Sequence, residues 1–352
     1  MNKDLLMIPE FEENEDRLET SLIDAIKRGP ADILLLSGGI DSGLLAALNP
    51  QTPALTVTIQ GFGTDVRYAQ EVTEFLGMNW HHIELSTNEA LAMIPDIVTH
   101  LHSYDPGILN DVAIYAAMRY GRSLGMEAVR TGDGGDDMFG GYSFSWSKDG
   151  KTLDPEYHRE HLTKLHPHIH FPSDTMAESF GMTAHHPYID QEVADLAIEM
   201  DLDLKVRSLT DMQSVGDIHY ELDSSADSTK QDYWSKIILR RLARKYLPIS
   251  IVRRPRADLE YGSGGYTLEQ LLAEQITEKE VAELEKEGIK FWNNPMKPET
   301  RRLHARLRRI FEEQGLQVPE VRENEYGCQW CEGGVSIGRS HCATCGAWPA
   351  NE

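Results

Sequence analysis

The chain of 352 residues is 40 % apolar and 26 % charged, the balance of a soluble globular protein with room for one large domain and a smaller piece. Its formal charge of −23 argues against general binding to nucleic acid or to an anionic membrane. The opening residues lack the basic flank and apolar run of a secretory signal, and no apolar stretch approaches the roughly 20 residues that span a bilayer. A cytoplasmic protein with no membrane partner is expected.

Asp16 to Arg28 reads as an amphipathic helix, and "DILLL" (Asp32–Leu36) as a strand buried on both faces. "SGGIDS" then leads into a second helix through "GLLAAL". Strands follow at Ala54–Ile59 and Trp80–Leu85, with helices at Asp65–Leu76, Asn88–His100 and Asn110–Leu124. "EAVRT" (Glu127–Thr131) is a further strand that delivers the chain into "TGDGGDDMFGGY". This alternation predicts an α/β fold with a doubly wound parallel sheet.

Pro155 to Asp190 is less regular and rich in histidine. His161, His166, His168 and His170 read as solvated loop histidines, with a metal site as the alternative. Helices are expected at Gln191–Met200, Tyr233–Tyr246, Thr267–Glu287 and Glu299–Gln314. The organisation expected is a synthetase-type domain over 1–265, a helical extension over 266–320 and a small separate module over 321–352, whose loss would spare the main fold.

All four cysteines lie in the last 25 residues: Cys328, Cys331, Cys342 and Cys345. "CQWC" and "CATC", ten residues apart, form two knuckle pairs suited to Zn²⁺ held by four thiolates, a zinc ribbon, with iron or an iron–sulfur cluster as the alternative. Its function is either structural or a docking surface for RNA or a protein, using Trp330, Arg339 and Trp348. No cysteine remains elsewhere to act as a nucleophile or carry a persulfide.

At a strand-to-helix turn, backbone N–H groups and the positive end of the helix form an anion cradle. In "SGGIDS" the glycines Gly38 and Gly39 let a pyrophosphate approach the backbone, Ser37 and Ser42 can donate to its oxygens, and Asp41 can hold Mg²⁺. A GxxxxGK[ST] sequence is missing, so this is not the usual nucleoside triphosphatase loop. Between Arg240 and Arg256 stand seven Lys/Arg and no acidic residue, which suggests phosphate contacts.

Five blocks in order give the resemblance: "SGGIDS", "TGDGGDDMFGGY", "AHHPYID", "KIILRRLARKYLP" and "RRPRADLEYGSG". Over roughly Ile33 to Gly264 the chain resembles the synthetase domain of the asparagine synthetases and their β-lactam synthetase relatives, members of the PP-loop ATP pyrophosphatases (adenine nucleotide alpha hydrolase-like). The resemblance implies that the first and fourth strands lie side by side, so that the two glycine loops face one ATP. It also implies that Asp41 and Asp136 share Mg²⁺ on the pyrophosphate, that Leu35, Thr58 and Gly132 line the adenosine pocket, and that Asp133 lies beside the reacting centre. Lys236, which opens the fourth block, and Arg256 in the fifth are the other catalytic candidates.

This sequence departs from the family in three places. Family members with a lysine in an RxKxxxxxG context use it near the adenylate, and here that residue is Arg256. The arginine expected after the "YD" block is Asn110. The catalytic cysteine and glutaminase domain that precede the synthetase domain in asparagine synthetase are not seen in this sequence.

The reading that follows is ATP-dependent, AMP-forming amidation of a small carboxylate, with free ammonia or ammonia from a separate donor protein. A tRNA-modifying enzyme inserting sulfur or nitrogen, with a sulfur donor, is the first alternative. A non-catalytic nucleotide-binding scaffold is the second.

Overall fold

The computed structural model describes residues 9–208, 233–255, 259–286, 288–290, 299–339 and 341–350. The candidate Arg256 lies outside the described residues.

Five parallel strands form the central sheet: β1 (Ile33–Leu35), β2 (Ala54–Ile59), β3 (Trp80–Leu85), β4 (Ala128–Arg130) and β5 (Thr183–His185), in the order β3-β2-β1-β4-β5. Leu34 pairs with Ala54 on one side and with Arg130 on the other, so the topology reverses at β1 and β4 and leaves a crevice beyond their carboxyl ends.

Side chains alternate across the sheet. Ile33, Leu55, Val57 and Val129 enter a core shared with α4 (Thr87–Leu101) and α5 (Asp111–Ser123). Leu34, Leu36 and Ala54 enter the opposite core, shared with α1 (Pro9–Arg28), α2 (Ile40–Leu48) and the helix Ile237–Ala243. Local signals set the helix ends. Ser86 and Glu89 form a reciprocal capping box at the start of α4, and Gly77 closes α3 (Asp65–Leu76) with φ 65.

Three stretches differ from the sequence expectation. The histidine-rich region forms α6 (Pro155–Leu165), α7 (Pro172–Ser179) and the edge strand β5. The helix expected over 233–246 is shorter, because Tyr233–Trp234 is extended and Lys236 turns the chain at φ 59 before Ile237. The stretch over 267–287 breaks into two helices, where Thr277 and Glu280 cap the second one reciprocally.

The four-cysteine tail is not set apart. Cys328, Cys342 and Cys345 are buried in the same core as Tyr104, Leu307 and Phe311. Tyr104 N donates to Thr344 O (2.8 Å), Ser103 Oγ to Ala343 O (2.7 Å), and His341 Nε2 lies 3.2 Å from Asp105 Oδ2. The tail therefore braces the segment from Ser103 to Asn110 that leads into α5. Among the described residues no helix is long and apolar enough to cross a membrane.

Candidate active site at the β1 and β4 crevice

The turn after β1 depends on its glycines. Gly38 has φ 70, and a Cβ there would lie 2.5 Å from the Ala69 amide nitrogen. Gly39 precedes α2, and no side chain caps that helix. Ser37 N donates to Ser42 Oγ (3.2 Å), and the two hydroxyls are 3.1 Å apart.

The loop after β4 folds directly against it. A Cβ on Gly135 would lie 2.7 Å from Asp41 Cγ, and one on Gly132 only 3.1 Å from Ser42 N. Gly141 passes so close to Asp136 that a Cβ would meet its Oδ1 at 1.8 Å. The glycines of both loops are thus needed to let Asp41 and Asp136 converge.

Lys236 meets both carboxylates. Its Nζ lies 2.5 Å from Asp41 Oδ2 and 2.9 Å from Asp136 Oδ1, with 4 % of the lysine side chain exposed. Burial works against the ammonium, but the two carboxylates together hold Lys236 above its ordinary value. Burial also pushes the Asp41 carboxyl up, and it lifts neighbouring Asp137, with help from Asp136, to about 6. The backbone at Lys236 is left-handed, an unfavourable state for a residue with a Cβ.

These groups border a cavity of about 600 Å³. Leu35, Ser37, Gly39, Asp41, Ser42, Gly132, Asp133, Asp136 and Lys236 all line it. Gly38 lies behind the turn, against Tyr68 and Ala69. Thr58 is not part of the lining: its hydroxyl is bonded to His82 Nε2 (2.8 Å) and the space above it is filled by Gly63. Thr56 and Val57, lower on β2, take its place, with Ala113 and Ile114 of α5 forming an apolar wall.

Further lining residues come from the basic run and, without any signal in the sequence, from Asp111 of α5. Arg254 stands 4.0 Å over the Tyr68 ring, donates to Ser37 O (2.8 Å) and pairs with buried Asp65. Arg240 donates to the carbonyl oxygens of Val252 and Arg254. The basic run marks both arginines as phosphate contacts; Arg254 also holds the phosphate turn at Ser37 O, and Arg240 holds the backbone that carries Arg254. Asp111 lines the α5 side, where burial and the nearby Asp133 push its carboxyl well above the usual range.

Asp133 is embedded in a polar cluster. Its Oδ2 accepts from Thr131 Oγ1 (2.9 Å) and Ser173 Oγ (2.5 Å). Thr131 Oγ1 is 2.7 Å from His186 Nδ1, and His186 Nε2 is 2.9 Å from Asp174 Oδ1. Two letters of sequence hint at this, the histidine inside "AHHPYID" and the serine of "FPSD", but nothing in their spacing joins them.

Asp41 Oδ1 is buried and has no hydrogen-bond partner among the described residues. Two hard carboxylates and an unfilled acceptor beside a phosphate-type turn fit Mg²⁺. At the other end, the four cysteine sulfurs lie within 4.8 Å of one another, with Cys328–Cys345 at 3.7 Å and Cys331–Cys342 at 3.6 Å. Metal–sulfur bonds of about 2.3 Å in a tetrahedron place sulfurs roughly 3.8 Å apart, so the set fits a single Zn²⁺. Trp330 N and Gly333 N point at Cys328 and Cys331 sulfurs (3.5 and 3.4 Å), as knuckle amides do toward thiolates. Among the described residues this is the one cluster of at least three His, Cys, Asp or Glu with metal-ligand spacing. Of the histidines weighed for a metal, His166 Nε2 meets Ile189 O and His170 meets Asp174, while His161 stacks on Tyr157 with its Nε2 buried and without a hydrogen-bond partner among the described residues.

A sequence model of the family described as asparagine synthase matches residues 32–159 and 145–316. The chain belongs to the asparagine synthase family. It is similar to asparagine synthetase B [glutamine-hydrolyzing] of Escherichia coli (strain K12), with 26 % identity over 85 % of this chain and 52 % of the relative. It is also similar to an asparagine synthetase [glutamine-hydrolyzing] of Asparagus officinalis, with 28 % identity over 63 % of this chain and 40 % of the relative. The chain thus spans about half the length of these asparagine synthase relatives, or less. A solved U34-tRNA thiolase NcsA from Methanococcus maripaludis with its [4Fe-4S] cluster aligns at 13 % identity, covering 74 % of this chain and 79 % of that one, with a TM-score of 0.30. So distant a likeness carries no functional argument.

Proposed function

We propose that the chain is an AMP-forming synthetase that adenylates a small carboxylate with ATP and then transfers nitrogen to it. One observation carries the reading: Asp41 and Asp136 converge on Lys236 under a glycine turn, with Asp41 Oδ1 buried and without a hydrogen-bond partner among the described residues. The apolar wall of Leu35, Val57 and Ile114 suits an adenine ring, and the phosphates would then run toward Ser37, Gly39 and the positive end of α2.

Mg²⁺, held by Asp41 and Asp136, would supply charge neutralisation on the leaving pyrophosphate. Lys236 would place a second positive charge on the same side, fixed by two carboxylates and costing no reorganisation during reaction. Asp133 lines the same cavity, where it would hold the nucleophile and take its proton. Arg256, in the position of the family's lysine, would keep its charge throughout. The four-cysteine set would hold one structural Zn²⁺.

ATP–[³²P]pyrophosphate exchange against a panel of carboxylates tests the reading, because it reports adenylation before the second step is identified. Carboxylate-dependent exchange is expected. Exchange that requires tRNA alone would replace the reading with base modification, and release of ADP and phosphate would end it.

A further inference from the structure

The cluster around Asp133 has a proton count that does not close on neutral side chains. Thr131 has one hydroxyl proton and two acceptors within reach, Asp133 Oδ2 and His186 Nδ1. His186 Nε2 faces the Asp174 carboxylate, which hydrogen bonds from His186 and the Phe171 N–H hold below its ordinary value against its burial. With Asp133 ionised and His186 neutral, one of three contacts lacks a proton, either one of the two at Thr131 or that between His186 Nε2 and Asp174, depending on the tautomer. One added proton completes the chain, and it can rest at either end: as imidazolium at His186, or on Asp133 with Thr131 turned toward His186.

The chain continues outward. Asp174 Oδ2 lies 3.1 Å from His170 Nδ1, and the His170 side chain is 60 % exposed, against 6 % for His186. The Phe171 ring packs edge-on against His186 at 5.1 Å and walls it from solvent. A continuous line of polar atoms therefore joins the cavity to the surface.

We propose that Thr131, His186, Asp174 and His170 form a proton exit from Asp133 to bulk water. The proposal rests on the amidating reading for the source of the proton. As the nitrogen lone pair forms the new C–N bond, the C–O bond to AMP breaks and its electron pair leaves with AMP. A proton on the attached nitrogen passes to Asp133. Asp133 hands it to Thr131 Oγ1 while the Thr131 hydroxyl proton moves to His186 Nδ1. The His186 Nε2 proton leaves through Asp174 to His170 and solvent. Asp133 touches the nucleophile; the other four groups act through it and are positioning residues.

The test uses the full chain with ATP, ammonium and a carboxylate that supports exchange, comparing ammonium-dependent AMP release with pyrophosphate exchange. His186→Gln and Thr131→Val are expected to lower the ratio of the two rates at least about tenfold, with Thr131→Ser restoring most of it. His170→Ala should lower the ratio less and be rescued by raising the concentration of imidazole buffer. Parallel loss of both rates, equal behaviour of Thr131→Val and Thr131→Ser, or no imidazole rescue would overturn the exit. If the wild-type chain shows no exchange with any carboxylate, the synthetase reading fails and ¹⁵N spectra of the His186 ring decide the exit alone. At fixed pH its resonances should move on Asp133→Asn, and the larger part of that response should vanish in a Thr131→Val background, leaving the direct effect of Asp133 Oδ2 at 3.7 Å from His186 Nδ1; no response, or an equal response in both backgrounds, refutes the coupling.

Discussion

Lys236 Nζ lies 2.5 Å from Asp41 Oδ2, and the backbone that delivers it is left-handed at φ 59. The ion pair spans 195 residues of sequence and is almost fully buried. The left-handed turn is thus where one ammonium is brought to both loop carboxylates. Removing one partner of such a pair leaves an uncompensated buried charge, which typically costs about 3–5 kcal/mol.

The first expectation concerns this triad. Asp41→Asn and Asp136→Asn should each lower pyrophosphate exchange at least about tenfold, the effect of losing roughly 1.4 kcal/mol in the transition state. Lys236→Met should also lower exchange and depress the melting temperature, since it strands two carboxylates. Wild-type exchange in all three variants would show that the convergence has no part in ATP chemistry.

A second expectation concerns the tail. Four sulfurs held within 4.8 Å of one another would repel as thiolates, so a cation is needed to hold the set together. Elemental analysis should find one zinc per chain, lost in Cys342→Ser. Truncation before Gly327 uncovers a shared core and frees Asp105 from His341, so the main fold should suffer as well. A fall in melting temperature of at least about 5 °C is expected. An unchanged melting curve after truncation would mean that the tail contributes nothing to the core it touches.

How much of this was legible beforehand follows from how each element is held. The strands β2 and β3 and the helix α3 end where the sequence predicts, because apolar runs and punctuating glycines act locally. Strand β5 escapes notice since it is an edge strand of three residues, Thr183, Ala184 and His185, with no apolar run. The glycine loops, Asp41 and Asp136 are readable from composition and resemblance. Thr58 is not corrected by either, because which threonine of β2 reaches the cavity depends on Gly63 packing over it. The Thr131–His186–Asp174 line joins three separate elements and exists only in three dimensions.

A third expectation links pH to stability through His158. Its Nδ1 bonds Ser145 O (2.9 Å), its Nε2 faces Lys205 Nζ (3.1 Å), and burial with the adjacent ammonium lowers it to about 4. The unfolded chain binds a proton from about pH 6.5 downward while the folded chain resists until about 4. Stability therefore falls as pH drops through that window, by on the order of 2 kcal/mol at pH 5 from this group. Lys205 is lowered to about 7 by burial, so its own contribution has the same sign but lies between pH 7 and 10.5. Chemical denaturation at pH 5 and 7 should show the loss for wild type. The slope should be smaller in His158→Gln, and an equal slope in both would assign it to other groups.

The last expectation concerns the nitrogen donor. All four cysteines of the chain converge on one cluster, so none is available as a thiol nucleophile or a persulfide carrier at the cavity. An acyl-adenylate is activated enough to be attacked by a neutral amine, whose proton then passes to Asp133, so ammonium must lose a proton before it can attack. Near neutral pH only a small share is deprotonated, and that share grows about tenfold per pH unit. Ammonium-dependent AMP release should rise accordingly until another step limits it, because an arginine at 256 stays charged throughout and adds no titration. Lys236 is held in its charged form by two carboxylates and should leave the profile unchanged in the same range. The measurement is AMP release with a competent carboxylate, comparing ammonium with sulfide from about pH 6.5 to 9. A rate that is flat in pH with ammonium would mean that nitrogen arrives by a route that bypasses bulk ammonia. Activity with sulfide alone would instead make the chain a thiolating enzyme, with Asp133 receiving its proton from a sulfur nucleophile.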